Sequence, residues 1–75
     1  VESFQVQLML TQEEEKIVET VKRLSFKYRV VIHLFYYEEM SIEEIADSLN
    51  LKPSNVRTRL TRARRMLKDL LKEDL

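Results

Sequence analysis

The side chains best suited to chemistry lie in one stretch without acidic residues, from Lys52 to Lys68. Its basic residues are Lys52, Arg57, Arg59, Arg62, Arg64, Arg65 and Lys68. Short polar residues are interleaved with them: Ser54, Asn55, Thr58 and Thr61. Arginine can form paired hydrogen bonds with guanine O6 and N7 or with phosphate oxygens, and short polar side chains allow a helix to approach base edges. These residue types therefore indicate hydrogen bonding to a nucleic-acid duplex.

Other kinds of site are excluded by composition. The chain has no glycine and no cysteine, which excludes glycine-rich phosphate loops, zinc fingers and thiol nucleophiles. A single histidine cannot form a multi-histidine metal site. The acidic clusters at 13–15 and 43–44 fall in predicted first helical turns, where the helix dipole favours negative charge. We therefore expect no enzymatic activity, no cofactor, no metal and no small-molecule ligand.

The chain length and hydropathy predict one small domain. The chain has 75 residues, of which 44% are hydrophobic and 35% are charged, a composition typical of a soluble globular protein. No apolar run approaches the ~20 residues needed to span a bilayer, and no signal-peptide pattern is present. We expect a cytoplasmic protein without membrane contact. Because the sequence begins at Val1, we expect it to be a fragment of a longer protein or a processed chain.

The net charge of zero conceals two regions of opposite charge. Residues 1–50 contain five basic and ten acidic residues, so their net charge is 5 − 10 = −5. Residues 51–75 contain eight basic and three acidic residues, so their net charge is 8 − 3 = +5. Overall neutrality alone argues against nucleic-acid binding, but an acidic supporting region followed by a basic segment is compatible with it.

The first predicted helix follows Thr11. Thr11 and Glu14 have the spacing of a capping box, and Ile17, Val21 and Leu24 recur at helical spacing as an apolar face, with Val18 beside them. Ahead of it, residues 1–10 alternate between apolar and polar side chains without a partner strand. We interpret residues 1–10 as a linker or N-terminal extension, and residues 11–75 as the domain.

The second predicted helix runs from the candidate N-cap Ser25 to about Glu38. Its core face comprises Tyr28, Val31, Leu34 and Phe35, and His33 is expected at the surface. Ile32 and Tyr36 fall together on another face. They either pack beneath the first helix or the N-terminal segment, or form an exposed patch that binds a protein partner.

The third and fourth helices predict a helix-turn-helix. Ser41 and Glu44 form a second capping box, followed by Ile42, Ile45, Ala46 and Leu49 at helical spacing. Asn50 suits the left-handed end of this helix, and Pro53 suits the first position of the next, which is predicted to reach about Leu71. The fold class is therefore all-α: a four-helix domain of the winged-helix-like DNA-binding type, without a wing.

The apolar stripe of the fourth helix fixes the direction of its polar residues. The stripe comprises Val56, Leu60, Ala63 and Leu67, continued by Leu70 and Leu71. At ~100° per residue, the residues directed outward are Ser54, Thr58, Thr61 and Arg65. Arg57 and Arg62 flank them, whereas Arg59 and Arg64 lie nearer the edges of the core face. This face is predicted to enter the major groove.

Three segments resemble region four of bacterial RNA polymerase sigma factors, most closely the extracytoplasmic-function (ECF) group. They are Leu-Ser-Phe-Lys-Tyr-Arg at 24–29, Ser-Ile-Glu-Glu-Ile-Ala at 41–46, and Val-Arg-Thr-Arg-Leu-Thr-Arg-Ala-Arg at 56–64. The sequence departs from the family pattern at Ser25, where proline is usual, at Asn50, where glycine is usual, and at Ser54-Asn55, where Gly-Thr is usual. The last change lies at the end of the helix that faces the groove.

The resemblance implies recognition of the −35 promoter element in double-stranded DNA and docking on the flap of the RNA polymerase β subunit. It also implies an anti-sigma factor as a partner. By position, Arg57, Thr58, Thr61 and Arg62 would face bases. Lys52, Arg59 and Arg64 would contact phosphates, and Ser54 and Asn55 could do either. An exposed Ile32–Tyr36 patch would face the polymerase or the anti-sigma factor.

Two other functions are compatible with parts of the pattern. A response-regulator-type helix-turn-helix shares the Ser-x-x-Glu-Ile-Ala spacing, but it lacks the ending Arg-Leu-x-Arg-Ala-Arg found at 59–64. A protein-binding helical module could instead use the basic helix to dock on an acidic partner. Salt-dependent binding to DNA distinguishes the second of these from a promoter-reading domain.

Overall fold

The helices of a computed structural model, which describes residues 11–73, follow the order predicted from sequence. They are α1 (Gln12–Lys22), α2 (Phe26–Ile32), α3 (Ile42–Leu49) and α4 (Pro53–Glu73), and α2 continues directly into a π-helical turn at His33–Tyr37. The all-α fold with a helix-turn-helix is confirmed. The predicted extension at residues 1–10 lies outside the described residues. In the part that is described, no helix is long and apolar enough to cross a membrane.

Both predicted capping boxes are present. At α1, the Glu14 N–H donates to Thr11 Oγ1 (3.2 Å) and the Thr11 N–H donates to Glu14 Oε2 (3.4 Å). At α3, the Glu44 N–H donates to Ser41 Oγ (3.1 Å) and the Ser41 N–H donates to Glu44 Oε1 (3.0 Å). The backbone hydrogen bond from Ser41, reinforced by the Ser41 side chain, lowers the pKa of Glu44. These reciprocal bonds satisfy N–H groups that a helix start leaves unpaired.

Ser25 occupies the predicted N-cap position of α2 without forming the predicted cap. Its backbone is extended (φ −63°, ψ 159°), but its side chain makes no capping hydrogen bond. The Arg29 guanidinium instead reaches back to α1, where Nη1 donates to the carbonyl oxygen of Lys22 at 3.4 Å. This contact satisfies a carbonyl at the end of α1 and links the two helices.

The turn between α3 and α4 is a Schellman motif. The Leu51 N–H donates to the Ala46 carbonyl oxygen (2.8 Å), and the Asn50 N–H donates to that of Asp47 (3.3 Å). Asn50 is left-handed, with φ 56° and ψ 48°, as predicted. Pro53 is the first residue of α4, where its missing N–H removes no intrahelical bond. The turn therefore fixes the angle at which α4 leaves α3.

The core lies where α4 crosses the other three helices. The buried apolar side chains are Leu24, Tyr28, Val31, Ile32, Ile45, Ala46, Val56, Leu60 and Ala63. Ala46 is 2% exposed, and its small side chain allows the α3 backbone to lie close to the core. The predicted stripe of α4 is confirmed at its buried positions, and Leu67, Leu70 and Leu71 are half-buried. Burial of this stripe holds the opposite face of α4 toward solvent.

The buried face of α1 differs from the predicted one. Ile17 is 47% exposed and Val18 is also exposed, whereas Thr20 is only 2% exposed. The Thr20 hydroxyl donates to the Lys16 carbonyl oxygen at 2.7 Å, so its polar group is satisfied inside the helix. The prediction that Ile17 belongs to the packed face is therefore wrong. Thr20, whose hydroxyl is hydrogen-bonded within α1, packs against the core beside Leu24 instead.

The end of the second helix also differs from prediction. The Glu38 N–H donates to the His33 carbonyl oxygen at 3.1 Å, an i to i+5 bond, and the Met40 N–H donates to that of Leu34 at 3.0 Å. Glu39 is left-handed (φ 55°) and ends the turn. A turn closed by i+5 bonds contains more residues than an α turn, so each residue rotates by less than ~100°. Side chains from His33 onward therefore lag behind the regular helical phase.

Ile32 and Tyr36 do not form a shared exposed surface. Ile32 is 6% exposed and belongs to the core, whereas Tyr36 is 55% exposed. The prediction of a joint exposed patch is wrong, and the alternative of packing in the interior holds for Ile32 alone. Its side chain is therefore not accessible to a protein partner in this conformation. His33 is exposed, as predicted, and stacks on Tyr37 with ring centroids 4.9 Å apart.

Candidate nucleic-acid interface

The outward face of α4, with Lys52 just ahead of it, contains the predicted DNA-contacting residues. The exposed members of the set are Lys52, Ser54, Asn55, Arg57, Thr58, Thr61, Arg62, Arg64 and Arg65. Arg59 is half-buried, consistent with its predicted position at the edge of the core face. A half-buried arginine still extends its guanidinium to solvent, because its long aliphatic stem packs on apolar surface. Apart from Lys52, which precedes the helix, and the half-buried Arg59, the predicted residues thus lie on the exposed surface of α4.

The beginning of α4 has an electrostatic character different from that of α1 and α3. Its first turn contains no acidic residue, whereas the first turns of α1 and α3 contain Glu13–Glu15 and Glu43–Glu44. The helix dipole places partial positive charge and unpaired N–H groups at such a terminus. With Lys52 immediately ahead of it, the start of α4 is therefore attractive to an anionic oxygen.

A hydroxyl on this face is already oriented. Thr58 Oγ1 donates to the Ser54 carbonyl oxygen at 3.0 Å. Its single hydroxyl hydrogen is thereby used within the helix, while its oxygen lone pairs stay available. In this rotamer Thr58 presents an acceptor and a methyl group, which suit an amino donor on a base edge or the methyl group of thymine.

Arg57 is paired with an acidic residue of α3. Its Nη2 lies 3.9 Å from Glu43 Oε1, and both side chains are more than half exposed. An exposed ion pair at this distance is weak and is screened by salt, so a phosphate can displace the carboxylate. Sequence reasoning assigned Glu43 only to the helix dipole and missed this contact.

Arg64 makes the most extensive contacts of the set. Its Nε–H donates to the Tyr36 hydroxyl oxygen at 2.6 Å. Its Cζ atom lies 5.5 Å from the ring centroids of both Phe35 and Tyr36. These two rings meet edge to face, with centroids 5.0 Å apart and an interplanar angle of 81°. The contact joins residues 28 positions apart in sequence, and no local pattern indicates it.

Comparison with known proteins agrees with the arrangement. Residues 14–67 match the family described as Sigma-70, region 4. RNA polymerase sigma factor SigV of Bacillus subtilis (strain 168) is 36% identical over 58 residues, which are 76% of this chain and 35% of SigV. ECF RNA polymerase sigma factor SigW of the same strain is 39% identical over 57 residues, 76% of this chain and 30% of SigW. The chain thus spans about a third of the length of these curated relatives.

Proposed function

The chain belongs to the sigma-70 region 4 family, and on this premise we propose that it is the domain of an ECF sigma factor that reads the −35 promoter element. The observation that supports this function is the exposed face of α4. From Ser54 to Lys68 it combines basic and hydroxyl side chains without any acid, on the second helix of a helix-turn-helix. Such a helix fits the width of the major groove. The sequence motifs resemble those of the ECF group, and this is consistent with the similarity of the chain to SigV and SigW.

Each side chain has a proposed role that follows from its place around α4. Residues that contact bases are Arg57, Thr58, Thr61 and Arg62. Residues that contact phosphates are Lys52, Arg59 and Arg64, since Arg59 and Arg64 lie toward the edges of the face. Ser54 and Asn55 lie at the positively polarised start of the helix and serve either purpose, and Arg65 points directly outward. Phosphate contacts fix the register of the helix, and base contacts give sequence preference.

Further partners and the cellular location follow from the same proposal. Promoter DNA and RNA polymerase are the partners that the family implies. We place the docking surface on the flap of the β subunit and expect an anti-sigma factor to regulate the domain. Of the two residues predicted to bind a protein partner, only Tyr36 is accessible. The cytoplasm of a bacterium is the proposed location, because promoter DNA and polymerase are found there. No enzymatic activity forms part of the proposal.

The two alternative functions have less support. The family match does not favour a response-regulator-type domain. A module that uses α4 only to dock on an acidic protein does not account for the hydroxyl side chains at the centre of the basic face. Arginines alone would suffice for an acidic partner, whereas short polar groups among them suit approach to base edges.

The test is salt-dependent binding of the 75-residue chain to a duplex. A sequence selected from a randomised pool would be compared with its scrambled version by fluorescence anisotropy. Contacts to about five phosphates predict a log–log slope of affinity against salt of about −4 to −5. Lys27→Ala, which removes a basic residue outside α4, should leave the slope unchanged. A slope near zero, or failure to select any sequence, would overturn the proposed function.

A further inference from the structure

Tyr36 holds the arginine at the edge of the proposed DNA-binding face. The hydroxyl of Tyr36 accepts the Nε–H of Arg64 at 2.6 Å, and the guanidinium carbon lies 5.5 Å from the centres of the Tyr36 and Phe35 rings. Two rings and one directed hydrogen bond restrict a side chain that otherwise samples many rotamers. These contacts favour one orientation of the Arg64 side chain in the absence of a ligand.

The group that accepts the Arg64 hydrogen bond is an uncharged hydroxyl, and this leaves the guanidinium able to bind an anion. Arginine has five N–H donors. Of the five in Arg64, only the Nε–H has a hydrogen-bond partner among residues 11–73. Its two Nη amino groups are left with four donors. The tyrosine hydroxyl carries no charge, so it orients the guanidinium without neutralising it. Arg57 is the contrasting case, because its partner is the carboxylate of Glu43, which competes with an incoming phosphate.

Tyr36 lies in the π turn at His33–Tyr37, four residues after the buried Ile32. It is 55% exposed, and its hydroxyl contacts Arg64 of α4. The turn at the end of the second helix and the exposed side of α4 therefore meet at this pair.

We propose that Tyr36 is a positioning residue for DNA binding: its hydroxyl and ring hold Arg64 so that the two Nη groups meet a backbone phosphate. This inference rests on the proposed function. Ordering the side chain in advance reduces the conformational entropy lost on binding. Because a phosphate is the same in every sequence, loss of the hydroxyl weakens binding to all duplexes equally and leaves sequence preference unchanged.

The experiment is a double-mutant cycle on the full 75-residue chain. Tyr36→Phe removes only the hydroxyl, and Arg64→Met removes the charge while retaining an aliphatic stem over the rings. Tyr37→Phe is the matched control, since Tyr37 is a neighbouring exposed tyrosine that stacks on His33 instead. Affinities for the selected and scrambled duplexes, thermal melting, and NMR relaxation of the Arg64 Nε–H without DNA are measured for each variant.

Tyr36→Phe is expected to weaken binding to both duplexes about 2- to 10-fold, the range for ordering one flexible side chain. It should have no effect in the Arg64→Met background, and it should increase the mobility of the Arg64 Nε–H. Tyr37→Phe should change none of these. Parent-like affinity of Tyr36→Phe, an equal loss in the Arg64→Met background, or unchanged mobility would overturn the positioning role alone. Absence of DNA binding by the parent chain would overturn the proposed function as well.

Discussion

Arg57 and Glu43 connect the start of α3 to the proposed DNA-binding face of α4, with Nη2 and Oε1 3.9 Å apart. An exposed pair at this distance contributes little to stability. We expect a larger effect on DNA binding, because the carboxylate both neutralises Arg57 and places negative charge beside the proposed path of the phosphate backbone. Glu43 should therefore lower the affinity of the proposed DNA-binding face.

Glu43→Gln should consequently strengthen DNA binding. We expect a two- to fivefold gain for selected and scrambled duplexes alike, on the order of 0.4–1 kcal/mol, and the gain should decrease as salt is added. Glu13→Gln makes the same charge change in the first turn of α1 and should have a smaller effect. Anisotropy titrations at two salt concentrations measure both variants, and equal gains for the two would contradict a local role for Glu43.

Arg62→Ala tests the proposed division between base and phosphate contacts. Arg62 is exposed on the flank opposite Arg57, and we expect its loss to cost about 1–3 kcal/mol with the selected duplex and much less with the scrambled one. Arg64→Ala should weaken binding to both duplexes by the same factor. The quantity measured is the ratio of the two dissociation constants. If this ratio stayed at the parent value in Arg62→Ala, the assignment of Arg62 to bases would be wrong.

Leu60→Ala tests the packing that orients α4. Leu60 is 1% exposed, and truncation of such a leucine typically costs about 2–5 kcal/mol. A domain of this size has little stability in reserve, so much of the variant should be unfolded. Met66→Ala, at a position that is 38% exposed in the same helix, should cost about 1 kcal/mol or less. Urea denaturation followed by far-UV circular dichroism compares them, and similar midpoints for both variants would be inconsistent with the core described above.

The two serines at N-cap positions should respond differently to the same substitution. Ser41→Ala removes the acceptor of the Glu44 N–H and should destabilise the domain by about 1 kcal/mol. Ser25→Ala removes a side chain that makes no capping bond, so the free energy of unfolding should change much less. Thermal melting of the two variants under identical conditions measures the difference, and an equal loss would mean that the Ser41 cap contributes nothing specific.

The parts of the fold that could be predicted are those determined by residues close together in sequence. Capping boxes join positions three apart, and the stripe of α4 repeats with each turn, so the helix starts and the outward face followed directly. The predictions that were wrong or missing depend on contacts between residues far apart in sequence, which no short sequence segment contains. The burial of Ile32 and of Thr20 depends on how their helices meet the rest of the domain, and the Tyr36–Arg64 bond spans 28 positions.

The acid sensitivity of α3 should depend on Glu44. Hydrogen bonds from the Ser41 backbone and then its side chain lower the pKa of this carboxyl in the folded chain. Since the folded pKa lies below the unfolded one, the carboxylate contributes stability above the unfolded pKa, and this contribution is lost as pH falls through the folded pKa.

Glu44→Gln keeps an acceptor for the Ser41 N–H but cannot ionise. At pH 7 the parent should be more stable than Glu44→Gln, because the ionised group forms stronger hydrogen bonds and interacts favourably with the helix dipole. As the pH falls through the lowered folded pKa of Glu44, the carboxyl protonates and this advantage should disappear. Urea denaturation of both proteins across this range measures the difference in free energy of unfolding. A difference that stayed constant with pH would show that ionisation of Glu44 does not support the start of α3.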